Sequence, residues 1–453
     1  MIRRGVCALA FFLALGCARE RNLCVAVIGD FGGDTPGEAQ VAVLVAGFQP
    51  DLVVTVGDDN YPNGAAETID RNIGKYYARW IHPYRGAFGP GASENRFFPT
   101  LGNHDWRTPG AQPYLDYFEL PGNERYYDLV RGDVHLFFVD SDPHEPDGVT
   151  FDSVQGRWLR EGLAKAREPH RWVFFHHPPY SSGPHGSTPE LQWPFRAWGA
   201  TAVFSGHDHD YERFAVGDMP YVVVGTGGQS LYRFREPQPG SALRIGQRYG
   251  ALRLELRDGV ARGEFVAVGD PEGDKFALPG AAELPLPLTL VAPTASWHVR
   301  DGLAPQDGWL APRFDQSEWA AAGTPFRIVD RGAAAGAPAR ETYYRIEFEA
   351  TGLPALRTLE LGLPRDNRAV AYLNGREAVR WVRLSPVREK RWLVPRGPRA
   401  EAAAQPVLAH HLLDPALLVP GTNVLAVEIQ RIPGDGGDPS FAAELVAHPR
   451  AAP

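Results

Sequence analysis

Cysteine is scarce in this chain of 453 residues, which contains only Cys7, Cys17 and Cys24. Three cysteines cannot build a disulfide framework, and a bridge between Cys17 and Cys24 requires that Cys17 is unmodified. Long hydrophobic runs are also missing, because no stretch reaches the roughly 18 apolar residues of a transmembrane helix. The sequence therefore predicts neither a disulfide-rich scaffold nor a membrane-spanning protein.

Positive charge is limited as well. The chain has 46 basic and 54 acidic residues, which gives a net charge of −8, and neither sign forms a long run. Nearly all the basic residues are arginines, a compositional bias from which we infer no function. Because a basic stripe is the electrostatic signature of a nucleic-acid-binding surface, we expect no nucleic-acid partner.

The overall composition is that of a globular protein. Hydrophobic residues make up 44% of the chain and aromatic residues 11%, against 22% charged residues. Such a chain can bury large cores, so disorder is excluded as its main state. Its length allows two or three domains.

The N-terminus has the pattern of a targeting segment. Two arginines precede an apolar stretch over 6–15, which matches a signal peptide that we assign to residues 1–16. The run Ala14-Leu15-Gly16-Cys17 resembles a lipobox, so we expect a lipoprotein whose membrane contact is a lipid on Cys17, with residues 17–23 as a tether. The alternative is an ordinary secretory signal. Both predict export, as a periplasmic or outer-membrane lipoprotein or as a secreted protein.

Residues 24–268 have the pattern of an α/β domain. Short apolar runs end in Gly, Asp, Asn or His and alternate with loops and helical stretches. The runs are Cys24–Ile28, Leu52–Val56, Phe97–Leu101, Val134–Val139, Trp172–Phe175, Ala202–Phe204 and Tyr221–Val224. Helices are predicted over 36–48, with a proline near the start, and over 153–167, with a serine cap.

A second domain is predicted after a linker. Residues 269–289 are rich in glycine and proline, which is typical of a linker. Residues 290–453 contain alternating strand-like runs between turn signals, with Asn374-Gly375 as a strong hairpin turn. This pattern predicts an all-β antiparallel sandwich. Two low-complexity inserts, 332–339 and 396–406, are predicted to be loops.

Five short polar motifs follow five of the apolar runs in the first domain. Because the carboxyl ends of strands in an open α/β sheet border one crevice, we expect these motifs to converge there. Each motif alone would be explained as a turn or a helix cap, but five together contain mostly metal-binding side chains. They are Gly29-Asp30-Phe31-Gly32, Gly57-Asp58-Asp59-Asn60-Tyr61, Gly102-Asn103-His104-Asp105, His176-His177-Pro178 and Gly206-His207-Asp208-His209.

The side-chain types indicate the kind of metal site. Carboxylate, imidazole and amide ligands suit Fe, Mn and Zn, and the motifs contain no thiolate. A carboxylate can bridge two ions roughly 3.5 to 4 Å apart, and such a pair can both generate hydroxide and hold a phosphate oxygen. The motifs therefore predict phosphoester hydrolysis at a binuclear centre.

The set and order of the motifs resemble the calcineurin-like metallophosphoesterase superfamily, and within it the purple acid phosphatases. In most of that superfamily the first motif is Asp-x-His, whereas this chain has Asp30-Phe31-Gly32. Tyr61, three residues after Asp58, replaces the lost ligand, and a phenolate favours a trivalent ion. The resemblance implies an α/β/β/α sandwich that holds Fe(III) and a divalent Fe, Zn or Mn ion.

The resemblance also implies a role for each site residue. Fe(III) would be held by Asp30, Tyr61, His209 and the bridging Asp58. The divalent ion would be held by Asp58, Asn103, His176 and His207. Among these, Asp58 and Asn103 would also take part in catalysis and in substrate binding, respectively. His104 matches the family's general acid and would contact substrate, and His185 matches a substrate-contacting histidine.

Three further polar residues, His177, Asp59 and Asn60, adjoin the predicted ligands in the sequence. His177 is expected to point away from the ligands if the strand before it continues, and so to support the site or the fold. Asp59 and Asn60 either orient ligands or form a turn.

The second domain resembles the galactose-binding-like jelly-roll domains found beside many secreted hydrolases. Its matching segments are 314–319, 343–345, 372–375 and 420–424. Contact with a carbohydrate is a hypothesis based on Trp297, Trp309 and Trp381. The alternative, which we favour, is that these side chains lie in the core or between the domains.

The leading hypothesis is an exported acid phosphatase. It would hydrolyse phosphomonoesters by attack of metal-bound hydroxide, with His104 as general acid. One alternative is a phosphodiesterase or nucleotide hydrolase with the same metals, because specificity depends on loops such as 62–96 and 142–152. A non-catalytic sugar-binding lipoprotein is the other alternative, but it predicts lost ligands, and all seven ligand positions are filled.

Overall fold

The computed structural model describes residues 22–302, 305–323, 326–327, 340–364, 368–381, 408–431 and 440–450. The predicted signal peptide, Cys17 and both low-complexity inserts lie outside these ranges. Within them, no helix is long and apolar enough to cross a membrane.

The first part of the chain forms two sheets. The first sheet has six strands in the order β13-β12-β11-β1-β2-β3, and the second has seven in the order β10-β8-β9-β7-β6-β5-β4. The strands are β1 Leu23–Ile28, β2 Leu52–Thr55, β3 Phe97–Phe98, β4 Tyr127–Arg131, β5 Val134–Phe138, β6 His170–Phe174, β7 Ala202–Ser205, β8 Tyr211–Val216, β9 Met219–Val224, β10 Ser241–Ile245, β11 Gly250–Arg257, β12 Val260–Ala267 and β13 Asp270–Leu278.

Alternation along β1 shows how the sheets are layered. Val25 and Val27 lie in a core that also contains strands of the second sheet, so they face that sheet. Ala26 and Ile28 point to the opposite face and join a separate core with the helix over 36–48. A third core covers the outer face of the second sheet. The predicted α/β/β/α sandwich is therefore confirmed.

Helices cover the two outer faces. Both helices expected from the sequence are present, with Pro36 at the start of the first and the predicted cap Ser153 on the second, which ends two residues early, at Lys165. Thr35 and Ser153 accept hydrogen bonds from the backbone N–H groups of Glu38 and Gly156. The helices are α1 Pro36–Phe48, α2 Ala66–Ile69, α3 Lys75–Tyr77, α4 Gln112–Tyr117, α5 Val154–Lys165 and α6 Phe195–Trp198.

The stretch predicted to be a linker is partly a strand. Residues 270–278 form β13, which pairs antiparallel with β12 at the edge of the first sheet. Phe276 packs against the core between the sheets, and Leu278 is buried in it. Proline is compatible with this strand because Pro271 lies near its start and β13 is at the edge of the sheet. An edge strand pairs on one side only, so a residue without an N–H group is tolerated there.

Apart from one short 3-10 helix, Pro415–Leu417, the regular elements described after residue 287 are β-strands, as predicted. A four-stranded sheet in the order β14-β25-β19-β22 and a six-stranded sheet in the order β16-β15-β18-β23-β20-β21 enclose one core, and β17 pairs with β24. The strands are β14 Leu288–Val291, β15 Ser296–Asp301, β16 Ala320–Gly323, β17 Phe326–Arg327, β18 Arg340–Ala350, β19 Leu356–Pro364, β20 Arg368–Leu373, β21 Arg376–Trp381, β22 Leu408–Leu413, β23 Gly421–Arg431, β24 Ser440–Phe441 and β25 Glu444–Pro449.

The predicted hairpin turn and two of the three tryptophans of this β region lie within the described residues. Asn374 and Gly375 have φ of 52° and 79° between β20 and β21, as the predicted hairpin turn requires. Trp297 is buried in the core, as favoured from the sequence, and Trp309 is half-buried and stacks on Trp319. The side chain of Trp381 lies outside the described part of the chain.

The four-stranded sheet lies against the first part of the molecule. Leu412 of β22 is buried in the same core as Tyr180, Phe214 and Tyr221. The Tyr180 hydroxyl donates a hydrogen bond to Glu360 of β19 at 2.9 Å. The β-sandwich thus packs directly behind the loop that follows β6.

Candidate metal centre

The five polar motifs meet at one edge of the two sheets. Strands β1, β2 and β3 run parallel in one sheet, and β6 and β7 run parallel in the other, so their carboxyl ends lie together. The backbone there is unusual, because Asp30, Asp58 and His207 have φ of 54°, 56° and 71°. Non-glycine residues in this left-handed region are uncommon and cluster at functional sites.

Two glycines allow the motifs to approach this closely. A Cβ atom on Gly102 would lie 2.3 Å from Asp58 Oδ1, and one on Gly206 would lie 2.6 Å from Asp30 Oδ2. Any larger residue would therefore displace a carboxylate of the centre. The residues before Asn103 and His207 must therefore be glycine, because a side chain at either position would clash with a carboxylate.

The first predicted ligand set forms a tight cluster. The Tyr61 hydroxyl lies 2.8 Å from Asp58 Oδ2 and 3.3 Å from Asp30 Oδ1. His209 Nε2 lies 3.3 Å from both the Tyr61 hydroxyl and Asp30 Oδ1. All four side chains predicted to hold the first ion therefore present a donor atom to one small volume.

The second predicted ligand set adjoins the first through Asp58. Its other oxygen, Oδ1, lies 3.5 Å from His176 Nε2. That nitrogen is also 3.3 Å from Asn103 Oδ1 and 3.2 Å from His207 Nδ1. Asp58 thus directs one carboxylate oxygen to each set, as a bridging ligand must.

The spacing of these donors fits metal ions. Two ligands about 2.1 Å from one ion lie about 3 Å apart when the angle between them is near 90°. The donor contacts above range from 2.8 to 3.5 Å. Asp30, Asp58 and His176 also form a buried group whose ligand atoms lie within 4.8 Å of one another.

The charge distribution at the site also favours cations. In the described ranges, neither Asp30 nor Asp58 forms an ion pair with lysine or arginine, although both are buried. Burial, together with the carboxylates of Asp58 and Asp30, raises the pKa of Tyr61 well above its ordinary value. A phenolate is therefore stable here only with added positive charge, which a metal ion would supply.

Two histidines are oriented by backbone carbonyls. His176 Nδ1 lies 2.8 Å from the Val56 carbonyl, and His209 Nδ1 lies 2.8 Å from the Ser230 carbonyl. Since a carbonyl only accepts, each Nδ1 carries the proton and each Nε2 turns toward the centre as a lone-pair donor. This arrangement is typical of metal-binding histidines.

His104 lies at the rim of the centre. Its Nδ1 donates to the Pro62 carbonyl at 2.7 Å, and its Nε2 lies 3.9 Å from Asp58 Oδ2. The ring packs on Tyr61 with a centroid distance of 4.1 Å. Burial lowers the pKa of His104. The free ring nitrogen therefore faces the place where a substrate on the predicted ions would sit.

His185 is close to the centre but exposed. Its ring lies 4.3 Å from the ring of His207. The backbone N–H groups of His185 and Gly186 donate to Asp208, at 2.9 and 3.2 Å. Asp208, between His207 and His209, was not predicted as a site residue, yet it fixes the loop that presents His185.

Asp105 is another residue that the sequence reasoning missed. Its carboxylate is buried and accepts from the backbone N–H groups of Gly102, Asp59 and Asn60, at 2.9 to 3.2 Å. It therefore ties the second motif to the third. Its position in the third motif marks it as a candidate, but two of its partners, Asp59 and Asn60, lie 46 and 45 residues earlier in the chain.

The neighbours of the ligands have distinct positions. The condition for the expected orientation of His177 does not hold, because β6 ends at Phe174, and a His177 nitrogen lies within 4.8 Å of ligand atoms of His176 and His207. Its Nδ1 also lies 3.0 Å from Ser141 Oγ. Asn60 accepts from Thr68 and Asn72, at 2.7 and 2.9 Å, so it holds the loop that carries Tyr61.

The chain is similar to several known proteins. Residues 24–211 match the family model described as calcineurin-like phosphoesterase. Tartrate-resistant acid phosphatase type 5 of Rattus norvegicus is 23% identical over 312 residues, covering 60% of this chain and 91% of that protein. Acid phosphatase type 7 of Mus musculus is 25% identical, covering 52% and 62%. The solved structure of purple acid phosphatase PPD1 from Lupinus luteus seeds aligns with a TM-score of 0.48 and 19% identity, covering 58% and 54%.

Proposed function

Residues 24–211 form a calcineurin-like metallophosphoesterase domain, and from this premise we propose that the protein is an acid phosphatase that hydrolyses phosphomonoesters at a binuclear metal centre. The observation that carries the proposal is the pair of donor sets joined by Asp58. Low-identity acid phosphatase relatives support the same reaction class.

The seven clustered side chains would hold two ions. Asp30, Tyr61, His209 and Asp58 would hold one ion, and Asp58, Asn103, His176 and His207 the other. When bound, the ions supply positive charge that acidifies an attacking water and stabilises the phosphoryl oxygens. Tyr61 makes the first set the harder of the two, so we propose Fe(III) there and divalent Fe, Zn or Mn in the second.

His104 is proposed to protonate the departing alcohol. Its Nδ1 proton is committed to the Pro62 carbonyl, so the ring must enter the reaction as imidazolium, with the transferable proton on Nε2, and it is left neutral when that proton passes to the alkoxide. An alkoxide is a poor leaving group without a proton donor, whereas a phenolate with an electron-withdrawing substituent leaves without help. His185 and Asn103 are proposed to contact the phosphate.

Comparison of leaving groups tests the role of His104. In His104→Ala, kcat for alkyl phosphates should fall about 100-fold or more, and kcat for 4-nitrophenyl phosphate much less. The exposed His82 offers a matched control, because His82→Ala removes an imidazole that lies outside the five motifs and contacts the Ala92 carbonyl. Equal losses on both substrates would refute the general-acid assignment.

The visible spectrum tests the proposed first ion. The oxidised, metal-loaded protein should show a broad absorption band from charge transfer between Tyr61 and Fe(III), and Tyr61→Phe should lose it. Metal content must be measured on both proteins. A colourless protein with two bound ions would mean that Tyr61 does not bind Fe(III), and would leave a Zn or Mn phosphoesterase.

Rates on 4-nitrophenyl phosphate and bis(4-nitrophenyl) phosphate test the reaction class. We expect kcat/KM to be higher for the monoester. A preference for the diester would favour the phosphodiesterase alternative. Failure of the metal-loaded protein to hydrolyse either ester would overturn the proposed function.

Export and domain limits are part of the proposal. We propose that residues 1–16 direct export and that Cys17 carries a lipid, which mass spectrometry of the protein from membranes would detect. We also propose a catalytic unit over 24–278, ten residues longer than the sequence suggests, because β13 completes the first sheet.

A further inference from the structure

A cavity of about 310 Å³ lies where the first part of the molecule meets the β-sandwich. The loops after β6 and β9 form one wall, which includes Tyr180, His185, Arg235 and Gln238. Strand β22 forms the other wall, with the segment 409–412. The size is at the lower end of the range for small-molecule sites.

This cavity adjoins the proposed metal centre. A smaller cavity of about 110 Å³ is lined by the segment 185–190 and by His207, one of the proposed ligands. The two cavities share His185, Gly186, Ser187 and Pro189. A substrate whose phosphate lies beside His207 can therefore extend past His185 toward β22.

The lining of the larger cavity carries a one-sided charge pattern. Among the described residues that line it, none is aspartate or glutamate, whereas one is arginine and three are histidines. Arg235 is exposed, and within the described ranges its guanidinium has no carboxylate within ion-pair distance. Arg235 is therefore available to a ligand, and a guanidinium binds carboxylates and phosphates through paired hydrogen bonds.

The wall opposite Arg235 is held firmly. His410 Nδ1 lies 3.1 Å from Glu360, and its backbone N–H donates to Gln192 at 2.7 Å. Gln192 belongs to the first part of the chain, so this hydrogen bond joins the two walls. The cavity is a formed space between packed elements, with a shape that depends on the β-sandwich.

We propose that this cavity binds a second anionic group, a carboxylate or a second phosphate, on the alcohol portion of a phosphomonoester substrate. Arg235 is the residue that determines this specificity. The inference rests on the proposed function, since it places the substrate phosphate at the metal centre. It assigns to the β-sandwich the role of shaping the substrate site, in place of binding a carbohydrate.

Three alkyl phosphates with three carbons each test the proposal: 3-hydroxypropyl phosphate, 2-carboxyethyl phosphate and propane-1,3-diyl bisphosphate. With the metal-loaded full chain, kcat/KM should be about tenfold or more higher for at least one anion-bearing substrate than for the hydroxyl compound. The one preferred identifies the anion as carboxylate or phosphate. Arg235→Gln should lower kcat/KM for the preferred substrate to the value for the hydroxyl compound.

Two further variants sharpen the test. Arg233→Gln removes an exposed arginine from the same segment that does not line the cavity, and it should keep the preference. Gln238→Glu places a negative charge on the exposed rim of the cavity and should reduce kcat/KM for the anionic substrates only. Calorimetric binding of the corresponding phosphonates gives the same comparison without turnover.

The outcomes separate this inference from the proposed function. Hydrolysis of all three esters at similar rates, or a preference that survives Arg235→Gln, overturns the anion site and leaves the phosphatase intact. No hydrolysis of any ester overturns the proposed function. In that case, phosphonate binding that is equal in Arg235→Gln and Arg233→Gln overturns the anion site as well, and weaker binding in Arg235→Gln alone supports it.

Discussion

Glu360→Gln should weaken the contact between the β-sandwich and the loop after β6. Glu360 is largely buried, with 14% of its side chain exposed. It accepts from the Tyr180 hydroxyl at 2.9 Å and pairs with His448 Nε2 at 2.7 Å and His410 Nδ1 at 3.1 Å. The amide keeps the size of the side chain but removes its charge, so both imidazoles lose an ionic partner.

The expected cost follows from the number of contacts. A hydrogen bond to a charged group contributes about 1.5–3 kcal/mol and a neutral one about 0.5–1.5 kcal/mol. Converting the two imidazole contacts of Glu360 into neutral ones should therefore lower the free energy of unfolding by about 2–3 kcal/mol. Loss of one partner of a fully buried ion pair, about 3–5 kcal/mol, sets the upper bound.

The effect should depend on pH in a specific window. Burial raises the pKa of Glu360, but His410 and His448 outweigh it and hold that pKa well below the ordinary value. Its stabilisation is present above the unfolded pKa of about 4.3 and is lost as the pH falls through the lower folded value. Burial lowers the pKa of His410, but Glu360 outweighs it and raises that pKa. This second contribution is complete below about pH 6.5 and is lost as the pH rises through the raised value.

Urea unfolding followed by tryptophan fluorescence measures the effect. The difference between the wild-type protein and Glu360→Gln should be largest between about pH 4.5 and 6.5 and should decrease on either side. Glu161→Gln is a matched control, since Glu161 forms an exposed pair with Lys165 worth about 0.5 kcal/mol or less. A difference below about 1 kcal/mol at pH 5.5, or one independent of pH, would refute the reasoning.

Three further perturbations address the proposed metal centre. Asp105→Asn places an amide N–H against backbone donors and should lower the free energy of unfolding by about 1–3 kcal/mol, measured by urea titration, together with kcat; unchanged values would exclude its role in joining the motifs. Gly206→Ala should push Asp30 aside and reduce bound metal, measured by elemental analysis, whereas Gly47→Ala, with open space around the added methyl, should not. Chelation should abolish hydrolysis and lower the thermal midpoint, and added Fe or Zn should restore both; a midpoint that does not move would contradict a metal bound in the folded state.

The position of the candidate ligands could be predicted from the sequence because it depends on short-range order. Asp30 and Asp58 lie two and three residues after the ends of strands whose apolar runs are visible in the chain. The carboxyl ends of parallel strands lie at one edge of the sheet. Residues that follow those ends therefore lie close together, independently of the conformation of the loops. Tyr61 could be included for the same reason, since it lies three residues after Asp58.

The supporting residues could not be predicted in this way. Asp105 accepts from backbone groups some 45 residues earlier in the chain, and Asp208 accepts from a loop 22 to 23 residues before it. No local pattern distinguishes these carboxylates from ordinary turn residues. The orientation of His177 could not be predicted because it depends on where β6 ends, which the apolar run overestimated by one residue.

The sequence by itself determined the two fold classes, the location of the metal-binding motifs and the reaction class that they predict, because periodicity and strand-end motifs are local properties. Only the tertiary structure decided that β13 joins the first sheet, that Trp297 is buried, and that β22 forms a wall of the cavity beside His185. These features arise from contacts between segments far apart in the chain, such as the 180 residues that separate Tyr180 from Glu360. Such contacts depend on how whole sheets pack together. The packing energy is distributed over many side chains, so no short sequence motif predicts it.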